Sequence, residues 1–539
     1  MTFNLRHTVA ALLLAAAATG AQAQSSSSAN ISDPQMAEAM MRAYDSLLDE
    51  DPRDPETLFR RASLFYRKND YIRALDDLNT ALKYYGPENA DERMQAVRLR
   101  ADVLMAMGKY DQALEDLNEL LREAPSSFSL IYERGTALYE LGRYAEAEAD
   151  FNQMLRMNPR SQEALLALAR CAVKRSNLGT ANDLADRAVA LTPGSSQIYL
   201  RRAGVRTLMG NKQGAVDDYI QAISIDQEST PRALAEMVNI SRTDYPVVIA
   251  GLSDAISKAP KNGMYYFIRA MIAQGHANYQ AAIADYDRII NQNLDSYPGL
   301  NAGLAECYYA LGKYDTALLN ADYAISATED NAYYYMLKSR ILTAKNDFEG
   351  ALDAAEKALA KSPEMVGALV AKAIAQIPLG QTADASVSLS EAEMTSPETP
   401  RIAILRGWVL GDYRKQETNA ERAYERVLDM DIDFDNVRSL RGFALLGLGW
   451  NPQADQWMER VLETSTDYDG EVNYYGACFY SQTGMIDKAF ECMEESLKKG
   501  YADYHAWTRA DEANLNCAPL RSNPRFKALL DKYAAVFQR

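Results

Sequence analysis

The chain has 539 residues, of which 48% are apolar and 24% charged, with a formal net charge of −17. These fractions are those of a soluble folded protein and exclude wholesale disorder and a multi-span membrane protein. The acidic excess excludes nucleic acid as the main partner, because phosphate binding needs a basic footprint.

Residues 1–23 read as an address. Arg6 and His7 give a weakly basic start, and Val9 to Ala18 is an unbroken run of Val, Ala and Leu. Ala21-Gln22-Ala23 then has the small-x-small pattern read by signal peptidase, so cleavage is expected near Ala23/Gln24, with a periplasmic or secreted destination. The run is about half the length of a spanning helix. Cys171 is the first cysteine, which excludes a lipid anchor at the cleavage point. No comparable apolar run occurs later, so no membrane span is expected in the mature chain. Residues 24–34, opening with Ser25 to Ser28, read as a flexible leader. Met36 to Asp51, closed by Pro52, reads as a lone helix within 35–54 that caps the segment beginning at residue 55.

From residue 55 onward the chain repeats. Ala recurs at 74, 113, 147, 181, 215, 282, 317, 351, 385, 420, 454 and 489, mostly in steps of 34 or 35. One step of 67 holds two units with a deletion, the missing member lying near Val248. Pro125, Pro159, Pro193, Pro260, Pro363 and Pro397 keep the same beat, and each marks the turn after a second helix. Within 128–161, Leu130 to Leu141 and Tyr144 to Met157 are amphipathic at helical spacing, with Gly142-Arg143 between them. Neither helix can bury its apolar stripe alone, whereas stacked neighbours can.

Gly135, Gly142, Tyr144, Ala147, Phe151 and Pro159 fill one unit's pattern, and Ala101, Gly108, Tyr110, Ala113, Leu117 and Pro125 fill the unit before. This pattern resembles the tetratricopeptide repeat. The resemblance implies an all-α fold, a right-handed superhelical solenoid of antiparallel helix pairs. About thirteen units run over 55–503, with those starting near 229, 400 and 470 degenerate. Residues 504–539, with Trp507 and Pro524-Arg525-Phe526, resemble the closing segment of exported bacterial proteins of this type and are expected to cap the array.

Charged residues recur in step. Arg61, Arg100, Arg134, Arg202 and Arg269 occupy the seventh position of units whose twenty-third position holds Asp77, Asp116, Asp150, Asp218 and Asp285. The unit at 162 has Leu168 and Leu184 instead, and Arg441 faces Trp457. This co-occurrence predicts an ion pair between the two helices of a unit, of small worth if exposed. Cys171 and Cys307 fall at an apolar position and read as small core residues. Cys478, Cys492 and Cys517 cluster near the end, and their spacing dictates no disulfide.

Catalytic and metal-binding patterns are missing. Only His276 and His505 remain after the leader, neither with a Cys or acidic partner at ligand spacing, and both read as solvated or capping residues. There is no phosphate-binding Gly-rich loop and no nucleophile elbow. Acid pairs such as Asp76-Asp77 and Asp217-Asp218 recur with the unit and belong to the fold's surface. No enzyme activity, cofactor or metal is expected.

The resemblance places the first helix of each unit on the concave side. Early units offer a mixed polar lining there: Arg98, Asp102, Glu163, Arg170 and Lys174. Middle units offer Met237, Ile240, Phe267, Met271, Tyr333, Met336, Val370 and Ile374, either an apolar trough for a peptide or partner helix or part of the core. The carboxylate clamp of some relatives, with Lys and Asn at the fifth and ninth positions, is missing: the chain has Phe59 and Ser63, then Arg98 and Asp102. The expected function is a non-catalytic interaction scaffold of the bacterial cell envelope. The alternative is a glycan binder using Tyr265-Tyr266 and Tyr333 to Tyr335.

Overall fold

The computed structural model describes residues 34–539 apart from 295, 296, 298, 432–434, 468, 510–514 and 539, so the expected leader and its cleavage point lie outside the described residues. The chain divides into two compact units, with the boundary between Met237 and Val238. Among the described residues all regular structure is helical, and from Pro55 to Lys499 the helices succeed one another as thirteen pairs.

The pair Phe128–Glu140 and Tyr144–Met157 shows why the sequence folds this way. Gly142 turns the chain with φ 76°, in the left-handed region that costs glycine nothing. Asn69, Ser176, Ala277 and Asn346 stand at the same place in other units, also at positive φ. In several of those pairs the next helix is capped by a side chain: Asp70, Asn177 and Asp347 each accept the backbone N–H three residues on. Ala147 is fully buried where the helices touch. A Cβ on Gly135 would lie 2.6 Å from the Phe151 ring, so only glycine admits that ring.

The Arg–Asp sets form forks. Arg134 donates Nε and Nη2 to the two carboxylate oxygens of Asp150 at 2.9 and 2.6 Å. Arg61–Asp77, Arg100–Asp116, Arg202–Asp218 and Arg269–Asp285 repeat this geometry. The third nitrogen reaches back to the preceding helix, onto Asp45, Asn79, Asn118, Asp186 and Ser253 respectively for Arg61, Arg100, Arg134, Arg202 and Arg269. The expected ion pair forms and is buried on its acidic side, with the Asp side chains 3–10% exposed. Burial pushes the Asp218 carboxyl up even with Arg202 against it. Such a pair fixes geometry more than it adds stability. Arg441 keeps the role without the acid: it lies over the Trp457 ring at 5.0 Å and donates to the carbonyls of Leu428 and Met430.

The unit up to Met237 opens with the helix Pro34–Glu50, whose Leu48 is buried with Leu58 and Ala81. In the unit from Val238 the irregular repeats have visible causes. The deletion removes the turn near 244, so one helical run spans Thr230–Lys258 across a break at Asp244 (φ −156°, ψ 65°). Val248 fills the Ala position and is fully buried. After Pro400–Trp408 the backbone widens into a π-helical turn, Val409–Tyr413, and Lys415, at φ 53°, then stands where other units have the turn glycine.

The tail does more than cover an end. The short helix Tyr504–Thr508 packs against the helix Leu300–Ala310, and His505 sits between two hydroxyls, Tyr309 on Nε2 at 2.7 Å and Tyr314 on Nδ1 at 2.8 Å. His505 is 4% exposed, so the histidine expected to be solvated or capping is a buried one. All five cysteines are free and buried, as the apolar position predicted for Cys171 and Cys307.

Candidate functional site

Seven of the eight expected trough residues are packed. Met237, Ile240, Phe267, Met271, Tyr333, Met336 and Val370 are 0–9% exposed, and Ile374 is half-buried. The physical reason is side-chain size. Phe267 stacks on Tyr297 at 5.2 Å, and Tyr333 hydrogen-bonds Glu306, which also receives the Gln274 amide. Met336 joins a core with Ala302, Ala305 and Tyr334. Large residues on successive first helices thus close on one another, and an open apolar trough does not form from them. The same burial takes Tyr265, Tyr266, Tyr333 and Tyr334 away from any glycan surface.

An open site lies instead in the unit before Met237. Helices Pro55–Arg67 and Ala90–Ala106 set Phe59, Ser63, Met94, Arg98, Leu99 and Asp102 around a hollow of about 410 Å³. Its floor is apolar and its wall charged. Arg98 donates to Glu133 at 2.5 Å and pairs with Asp102 at 3.3 Å. Burial works against the Arg98 charge, yet the Glu133 hydrogen bond and the Asp102 charge still raise its pKa. Burial pushes the Asp102 carboxyl up. The second oxygen of Glu133, Oε2, is buried and accepts no hydrogen bond among the described residues. An unsatisfied buried acceptor costs about 1–3 kcal/mol. Farther along, Arg170 pairs with Glu140 at 3.2 Å and lies over the Tyr139 ring at 4.4 Å, while Arg201 approaches Glu163 at 3.7 Å. These groups are one-third to one-half exposed and can exchange partners.

The sequence pattern found Arg98 and Asp102 but missed Phe59, Met94 and Leu99 as a floor. Phe59 and Ser63 drew notice only as departures from the clamp, and the signal that could have found them is an apolar residue where the clamp needs a lysine. Among the described residues no group of three or more His, Cys, Asp or Glu is placed to hold a metal ion, and no helix is long and apolar enough to cross a membrane.

Profiles of the tetratricopeptide repeat match residues 59–128, 98–154, 132–196 and 302–366, and a second such profile matches 342–409. The chain is a tetratricopeptide repeat protein. Solved structures similar to this repeat protein include yeast Tom70, at 16% identity over 76% of this chain and 99% of that one, with a TM-score of 0.36. A repeat protein from Parabacteroides merdae is 18% identical over 54% of this chain and 99% of its own, with a TM-score of 0.28. The Cut9–Hcn1 hetero-tetramer of the APC/C gives 16% identity over 93% of each chain and a TM-score of 0.34. No curated protein matches the tetratricopeptide chain in sequence. Tetratricopeptide repeats serve in general as protein–protein interaction scaffolds and are typically non-catalytic.

Proposed function

We propose that this tetratricopeptide repeat protein is a non-catalytic scaffold of the bacterial cell envelope that holds a partner peptide on the first helices of its early repeats. The observation that carries the reading is the hollow at Phe59, Met94 and Leu99, with Arg98 and Asp102 on its wall. An apolar side chain of the partner fills the floor, and its polar groups meet Arg98 and Asp102 on the wall. The export reading is supported by the apolar run Val9 to Ala18 and by Ala21-Gln22-Ala23.

The test is site-specific photocrosslinking in cells that export the chain. A photoreactive phenylalanine analogue at Ser63 or Gln95 should give partner adducts, and one at the exposed Ile72 should give none. Phe59→Ala and Arg98→Gln should each weaken the adducts at Gln95, with melting curves confirming that each variant folds. Equal adducts at Ile72, or none at either hollow position, overturn the assignment. N-terminal sequencing of the exported chain should begin at Gln24, and a membrane-retained chain keeping Met1 overturns the export reading.

A further inference from the structure

A second cavity, about 400 Å³, lies wholly within the unit that starts at Val238, at the edge where first helices turn into second ones. It falls in the size range of small-ligand sites. One wall is apolar: Ile374, Ile377 and Val409, with the Trp408 ring set edge-on to Tyr413 at 4.9 Å. The opposite wall comes from the tail and is cationic, with Arg509 and Arg521.

The two arginines do different work. Arg521 is spent on backbone: its Nε donates to the Trp507 carbonyl at 3.0 Å and its Nη2 to the Arg509 carbonyl. These bonds hold the segment from Trp507 to Arg509 in place. The Arg509 guanidinium lies over the Tyr314 ring at 5.3 Å and has no acidic partner among the described residues. Stacking occupies the face of a guanidinium and leaves its in-plane N–H groups free to grip an anion. In a chain of net charge −17, an arginine without an acid beside a cavity is a departure from the surrounding pattern. The Asn346 amide sits at the rim and can add a hydrogen bond.

We propose that this cavity binds a small monocarboxylate with an aromatic or branched apolar body. The carboxylate takes the in-plane N–H groups of Arg509, and the body lies against Trp408 and Ile374. Arg509 is the cation on this wall whose side-chain N–H groups are not spent on backbone carbonyls, so it takes one carboxylate, and the Trp408 ring with its aliphatic neighbours sets the body. Because one wall belongs to the repeats and the other to the tail, an occupied cavity also ties the tail down.

The test is calorimetric and saturation-transfer titration of the full chain with 4-phenylbutyrate and with its uncharged analogue 4-phenylbutyramide. The acid should bind about tenfold or more tightly than the amide, the scale of one charge-assisted pair. Arg509→Gln should erase that difference, Arg509→Lys should keep part of it, and Trp408→Leu should weaken both ligands, with melting curves confirming that each variant folds. Equal binding of acid and amide, an unchanged preference in Arg509→Gln, or no saturation of either compound in the millimolar range overturns the proposal. A third arm uses the tripeptide Gly-Gly-Phe with a free C-terminus. Binding of this peptide about tenfold tighter than the small acid would make the occupant a chain end and overturn the small-molecule assignment.

Discussion

His276 titrates against its own fold. It caps the helix Gly263–Gly275, rests on the Tyr245 ring at 4.5 Å and meets the Ser241 hydroxyl at 2.9 Å. Burial, with the nearby Arg242 charge, lowers its pKa to about 4. The folded chain therefore holds this ring neutral while the unfolded chain protonates it near 6.5. Its contribution is complete above the unfolded value and is lost as pH falls toward the folded one. Between pH 7 and pH 5 the loss is about 2 kcal/mol. His276→Gln should flatten the acid side of the stability–pH curve by that amount, measured by urea titrations at both pH values. The cysteines give a second residue-scale expectation. Cys478 and Cys517 share a thiol hydrogen bond that, with Arg521, favours the Cys517 thiolate, while burial pushes Cys478 and Cys492 up. Because all five are buried, iodoacetamide should leave the native chain unlabelled over a time that labels all five in urea, as mass spectrometry would report.

The repeat unit is the element at which sequence and structure agree best. Period, turn glycine and the co-occurring Arg and Asp were all legible, because each answers to a local constraint that recurs every unit. Ala147→Leu should cost about 1–3 kcal/mol by forcing the two helices of its pair apart, with thermal melts as the measurement. Arg134→Met strands the buried Asp150 carboxylate and should cost about 3 kcal/mol, whereas Arg134→Met with Asp150→Leu should recover most of it. A double-mutant cycle on urea curves separates these outcomes. The floor of the hollow and the closure of the middle residues were not legible. Whether Phe267 or Met336 is open depends on which side chains the next first helix brings, and a one-unit reading treats each unit as if its neighbours were average. Asp244 escaped because the break there carries no turn glycine, and the π-helical turn at Val409–Tyr413 because it precedes a left-handed turn made by Lys415 rather than glycine.

In the unit from Val238 the tail joins residues far apart. His505 meets Tyr309 across 196 positions, and Arg509 covers Tyr314. A tandem array whose contacts run only between neighbours unfolds in stages. Here the tail should couple the stages. His505→Ala removes the hydrogen bonds that join the tail to Tyr309 and Tyr314 and should lower hydrogen-exchange protection in the helix Leu300–Ala310 while leaving Asn451–Thr464 unchanged. Equal loss in both helices would show a general destabilisation instead.

The same contact sets an order of assembly. Closing a flexible loop of that length costs about 5 kcal/mol in chain entropy, but once the intervening repeats have stacked, the two ends are already held near each other and little of that cost remains. Neighbour contacts therefore form first and the His505 contact last. On a ribosome the repeats can assemble as they emerge, whereas Tyr309 and Tyr314 wait for His505. A chain cut short before residue 504 keeps every repeat and never makes that contact, so its repeats stack without the lock that joins positions 196 residues apart.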